Sequence, residues 1–167
     1  LNYPDFRAYE HAFMMMAQVS GRAGRKGKRG KVILQTKSPT LPVISQVVHN
    51  DYTGFYQDLL EERRAFHYPP FYHLVCVFVK HKNEQVCHQA SLELGQTLRF
   101  WFGDRVLGPD KPAVAKVKTM NIRKIVIKLE NGINQAKVRE YLRYAQEQMS
   151  KDPRYGALQI YYDVDPM

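Results

Sequence analysis

Tyr72–Phe102 reads YHLVCVFVKHKNEQVCHQASLELGQTLRFWF, and its two halves follow different periods. In an extended chain Leu74, Cys76 and Phe78 fall on one side and Val75, Val77 and Val79 on the other. Both sides are apolar, which predicts a strand in the middle of a sheet rather than at its edge. Asn83 stands where a helix needs a side-chain oxygen for its first free N–H groups. The helix is expected to run to about Phe102, with Cys87, Ala90, Leu94, Leu98 and Trp101 forming its apolar stripe.

Working outward, Arg105–Leu107 and Ala113–Val117 read as short strand pieces interrupted by Gly108-Pro109. Ile122–Leu129 is a further strand, and Asn131-Gly132 is a turn signal. Asn134–Met149 is expected as a helix burying Val138, Leu142, Ala145 and Met149, and Leu158–Val164 closes as a strand. The order β-α-β-β-α-β is the split βαβ, ferredoxin-like plan, an α+β domain with two helices on one face of an antiparallel sheet.

Upstream, Pro69-Pro70 makes the clearest break in the chain, because proline restricts itself and the residue before it. A domain boundary is placed near Phe66, giving domains 1–66 and 67–167. In the first, Asp5–Gln18 lacks internal Gly and Pro and reads as a helix, with Met14, Met15 and Met16 as core filler. A basic, glycine-punctuated loop is expected over Ser20–Gly30, then a short buried strand, KVILQT, over Lys31–Thr36. A short helix follows over Val43–His49. A second helix sets Tyr52, Phe55, Tyr56, Leu59 and Arg63 on one side.

The chain has 167 residues and a formal net charge of +9. Residues 1–66 carry ten Lys and Arg against six Asp and Glu, and residues 67–167 carry fifteen against ten. An excess spread over both halves favours a polyanion partner such as nucleic acid, the alternative being a merely basic soluble protein. Two cysteines, Cys76 and Cys87, make no disulfide framework and leave no zinc-type ligand set. No apolar run approaches the ~20 residues that span a bilayer, and no signal peptide is visible, so a cytoplasmic location and no membrane partner are expected.

The stretch Gln18–Arg25, QVSGRAGR, carries the chemistry. Glycines Gly21 and Gly24 suit close approach of backbone to a ligand, and Arg22 and Arg25 bring guanidinium forks that grip phosphate oxygens. A phosphate-cradling P-loop is missing: Gly21–Lys28 has one residue too many between Gly21 and Gly27, and Arg29 stands where Ser or Thr belongs. A Walker B carboxylate pair is missing too. The chain therefore cannot build an ATP site alone, and with its start at Leu1 shortly before the motif it reads as part of something longer. Lys26, Lys28, Arg29 and Lys31 continue the positive run and either meet DNA phosphates or form a solvated loop.

QVSGRAGR after a helix and before a strand resembles motif VI of superfamily 2 helicases. Together with LEERRAFHYPPF over Leu60–Phe71, Leu107-Gly108-Pro109 and the closing Asp163-Val164-Asp165-Pro166, it resembles the carboxy-terminal part of the primosomal replication-restart helicase family, PriA. The resemblance covers essentially the whole chain. It implies the end of a second RecA-like lobe over 1–66 and a ferredoxin-like domain after it. Gln18, Gly21 and Gly24 would then line the nucleotide, and Arg22 and Arg25 would be catalytic, one of them an arginine finger. It further implies ATP with Mg held mainly by an upstream part, zinc only in that part, and 3′ to 5′ unwinding at stalled forks. The implied partners are forked or single-stranded DNA, single-stranded DNA-binding protein and primosome proteins, in a nucleoid-associated setting. Two rivals stand beside it: a ferredoxin-like RNA-binding module without motor activity, and a different superfamily 2 motor.

Other candidates carry less. Asp163 and Asp165 lie two apart at a strand end, where a surface or salt-bridged pair is preferred over a metal site. His67, His73, His81 and His88 lie near the cysteines, but Cys76 and Cys87 fall on apolar faces, so no metal is expected. Tyr161 with Arg123 or Lys124 suits a base-stacking platform, against which packing is the preferred reading. Lys137, Arg139 and Arg143 on the second helix suit DNA or an acidic peptide tail.

Overall fold

A computed structural model describes residues 5–23 and 30–166. The chain divides into two compact units, Leu1–Phe66 and His67–Met167.

In the second unit, β1 (Tyr72–His81) lies between two antiparallel neighbours, β4 (Met120–Glu130) and β5 (Gln159–Val164). A further strand, β2 (Val106–Asp110), pairs with β4 on its other side, so the sheet runs β2-β4-β1-β5. The two-residue β3 (Lys116–Val117) also pairs with β4. Helices α4 (Glu84–Phe102) and α5 (Gln135–Lys151) bury their apolar stripes against one face of this sheet, in an α+β arrangement. Val75, Val77 and Val79 of β1 and Ile125, Ile127 and Leu129 of β4 meet Cys87, Ala90, Leu94 and Leu98 of α4 and Val138, Leu142, Ala145 and Met149 of α5.

Both helices start where a side chain satisfies their first N–H groups. Asn83 accepts from the Gln85 and Val86 amides, and Asn134 accepts from those of Ala136 and Lys137. Gly108 and Pro109 lie inside β2 instead of interrupting it, and the register with β4 shifts between Leu107 and Asp110. The shift is a bulge that tolerates both residues. Gly108 has φ +89°, and a Cβ there would sit 2.9 Å from the Lys124 carbonyl oxygen.

The first unit consists, among its described residues, of α1 (Ala8–Arg22), α2 (Pro42–Val48) and α3 (Tyr52–Ala65). Phe13, Val43, Ile44, Phe55 and Leu59 form its core, and Phe13 stacks on Phe55 at 4.3 Å. Three expectations need correction. Lys31–Thr36 forms no strand, because no strand is available among the described residues of the unit to pair with it. Its Leu34 joins the small core while Ile33 is exposed. Of the methionines only Met16 packs inward; Met14 and Met15 lie on the outer side of α1, off the Tyr9–Phe13–Met16–Ala17 stripe. Finally, α1 continues through Gly21 and Arg22, beyond the loop start expected at Ser20.

Candidate functional site

Continuation of α1 to Arg22 sets the geometry of the motif. Gln18 and Arg22 are four residues apart on one helix, hence on one face, and both are exposed. The hydroxyl of Ser20 turns back to donate to the Met16 carbonyl at 2.8 Å, which holds it within the helix. Gly21 is helical, with none of the described residues within 4 Å of where a Cβ would stand, so it is not a turning residue here. Among the described residues it leaves space beside Arg22. Among the described residues no carboxylate pairs with Arg22.

This site lies at the carboxy-terminal end of a helix. The macrodipole there is negative and the free backbone groups of the helix are carbonyls, so the helix end itself offers a phosphate nothing, and an anion beside it meets the Arg22 side chain. Gly24, Arg25, Lys26, Lys28 and Arg29 lie outside the described residues.

Arg63 has a structural task. It reaches from α3 to Glu10 of α1 at 2.6 Å, and its guanidinium lies 5.3 Å from the centre of the Phe6 ring.

The second unit shows a second surface. Side chains alternate across a strand, so the register partners of Phe78, which are Tyr161 on β5 and Lys124 on β4, share its face, opposite α4 and α5. Phe78 and Tyr161 stack with centroids 4.8 Å apart and 9° between planes. Lys80 lies over the Tyr161 ring at 4.5 Å, and Lys124 lies 5.7 Å from the centre of the Phe78 ring. Lys128, further along the same face, lies over Tyr68 at 4.0 Å, and partial burial lowers its ammonium pKa. Arg123, offered in sequence as an alternative to Lys124, points to the helix side, where it is buried and pairs with Glu84 at 3.2 Å. Phe78 and Lys80 complete this face: the sequence puts them on the side of β1 with Leu74 and Cys76, and the register with β5 brings that side beside Tyr161.

Among the described residues no three potential metal ligands converge. Asp165 Oδ2 meets His73 Nδ1 at 2.7 Å and Oδ1 accepts from the Leu74 amide at 2.8 Å, so it ties the chain end to the start of β1. Cys76 and Cys87 are buried, and burial pushes both thiols up, making them unreactive core residues. No helix among the described residues is long and apolar enough to cross a membrane.

A family model described as the primosomal protein N C-terminal domain matches residues 64–167, which includes the whole of the second unit. The chain belongs to this PriA family. It is 37% identical over 130 residues to the replication restart protein PriA of Bacillus subtilis, covering 77% of this chain and 16% of that relative. With PriA of Thermotoga maritima it shares 36% over 140 residues, 78% of this chain and 18% of the relative. With PriA of Treponema pallidum the figures are 38% over 119 residues, 70% and 18%. The chain thus corresponds to the C-terminal part of PriA and spans less than a fifth of the length of these relatives. The part of this chain that matches the family model contains the aromatic–lysine face, the Gly108 bulge and the Asp165 tie.

Proposed function

We propose that this chain is the motor-distal part of an ATP-driven 3′ to 5′ DNA helicase that acts in replication restart. In this reading residues 1–66 end a second RecA-like lobe and residues 67–167 form a ferredoxin-like domain, a plan that accommodates the β2-β4-β1-β5 order with β3 as a short addition. The observation that carries the proposal is the pairing of Gln18 with Arg22 on one exposed helical face, in a chain of the PriA family. The residues fit the outer side of a nucleotide: the Arg22 guanidinium has no described carboxylate to neutralise it, and space lies open at Gly21.

In this reading Arg22 and Arg25 stabilise charge that builds on the transferring phosphoryl group, an effect of about 10³–10⁵ in rate where such arginines have been removed. Gln18, one turn earlier, orients at the same phosphates by hydrogen bonding, and Gly24 admits the loop close to them. Magnesium and the rest of the triphosphate belong to residues beyond this chain. Lys26, Lys28 and Arg29 lie next to the motif and take DNA phosphates. Forked or single-stranded DNA, single-stranded DNA-binding protein and primosome proteins are the partners of this reading, in the bacterial cytoplasm.

The test uses the intact protein. Arg25→Ala abolishes DNA-stimulated ATP hydrolysis and leaves DNA binding in place; an ATPase as fast as the wild type's refutes the motor role. If the chain were instead an RNA-binding module, its affinity for RNA would equal or exceed that for forked DNA.

A further inference from the structure

On the sheet face opposite the helices, where Leu74, Cys76 and Ile122 are buried, Tyr161, Phe78 and Lys124 form one cross-strand row, with Lys80 displaced by two residues along β1. The helices of this unit cover the opposite face, and Tyr161 remains 40% exposed. Aromatic cross-strand pairs stabilise a sheet by themselves; the ammonium groups set over both rings add partners for phosphate beside a stacking surface.

The geometry points to a single-stranded DNA site on this face, in which bases stack on the Tyr161–Phe78 pair while Lys80 and Lys124 take the flanking phosphates. This rests on the DNA-helicase reading above and names the surface and the form of DNA it meets. The lysines reach the rings on long flexible stems, so each ammonium can leave a ring for a phosphate without movement of the backbone. The exchange is favourable because base stacking on an aromatic ring outweighs an exposed cation–π contact. The released ammonium gains a full anionic partner. A duplex hides its base faces in its own stack, so the ring pair selects single strands.

Charge on the face is mixed: Lys80, Lys124 and Lys128 share it with Asp110, Asp163 and Asp165, and Glu130 is paired with Arg105. The charges set against the ring pair itself are the ammonium groups of Lys80 and Lys124, the groups a backbone of phosphates would meet there.

The experiment is equilibrium binding of the full chain to short oligo-dT and to a duplex of the same length, over a salt series. Tyr161→Ala weakens oligo-dT binding between about fivefold and about 150-fold, the loss of one stacked base, and leaves duplex binding within about twofold. Tyr161→Phe, which keeps the ring, binds like the wild type. Lys80→Gln and Lys124→Gln each flatten the dependence of log affinity on log salt by about 0.7. A 2-aminopurine probe in the bound strand reports stacking in the wild type without any substitution. The site is overturned if Tyr161→Ala binds oligo-dT normally, if it loses duplex binding equally, if 2-aminopurine emission does not change, or if the matching RNA binds more tightly. The motor reading fails instead in the Arg25→Ala ATPase assay, which leaves this binding measurement unmoved.

Discussion

Asp165 and Leu74 are joined twice: the Leu74 amide donates to Asp165 Oδ1 and the Asp165 amide donates to the Leu74 carbonyl, both at 2.8 Å. The bonds extend the β1–β5 ladder one step past its last register pair, Val75 with Val164. Asp165 does so at φ +48°, a left-handed conformation that Asp and Asn tolerate better than other non-glycine residues. Leu74 is buried, so its amide has no ready substitute in water. Asp165→Ala is therefore expected to cost about 1–3 kcal/mol, the penalty of an orphaned buried donor. Asp165→Asn keeps an acceptor and the backbone preference and should lose less. Urea denaturation of the three proteins checks the order, and an Ala variant as stable as the wild type contradicts it.

Gly108 offers a second test, of backbone rather than side-chain bonding. Its φ of +89° and the 2.9 Å approach of a would-be Cβ to the Lys124 carbonyl oxygen leave no room for alanine. Gly108→Ala should destabilise the second unit by about 1–3 kcal/mol through strain and displacement of β2 from β4. The expected readout is a lower urea midpoint with an unchanged slope. An unchanged midpoint would mean that the bulge relaxes freely.

Local signals were legible in the chain, and non-local ones were less so. The two apolar sides of β1 and the caps Asn83 and Asn134 depend on neighbours a few residues away, and each reads directly from its segment. KVILQT has the composition of a strand, yet pairing is decided by partners distant in sequence, and the described residues of its unit supply none. Gly108-Pro109 looks like an interruption because a bulge is visible only once β4 is in register. At the candidate sites, the residue types of the motif were plain, but the helical state of Gly21 was not: small polar residues beside glycine suggest a loop until the Ser20–Met16 bond is seen. The choice between Arg123 and Lys124 reduces to parity along β4, which the register with Phe78 decides for Lys124.

Acid stability is expected to depend on Glu84. Hydrogen bonds from Lys111 and then Arg123 hold its carboxyl below the usual carboxylate range. A depressed acid stabilises the fold fully above its unfolded pKa, near 4.3 for glutamate as an order-of-magnitude guide. The contribution is lost as pH falls through the lower folded value. Glu84→Gln should therefore be less stable than the wild type at neutral pH, with the difference shrinking under acid. Melting temperatures of the two proteins between neutral and strongly acidic pH measure it. A difference that stays constant would show that proton binding at Glu84 is not coupled to folding.

Gly21 separates two readings of the motif. If the glycine were needed to turn the chain, alanine would be harmful to folding. In the structure it is helical, its Cβ position meets none of the described residues, and φ is not positive. Alanine loses less conformational freedom than glycine on entering a helix, so Gly21→Ala should stabilise the chain by up to about 1 kcal/mol, less where the helix end frays. Its effect on function should run the other way, since the added methyl occupies the space beside Arg22 that the nucleotide reading assigns to a phosphate. The expected result is a slightly higher melting temperature together with a raised KM for ATP in the intact protein. A lower melting temperature would return Gly21 to a turn, and with it the expectation that the loop begins at Ser20.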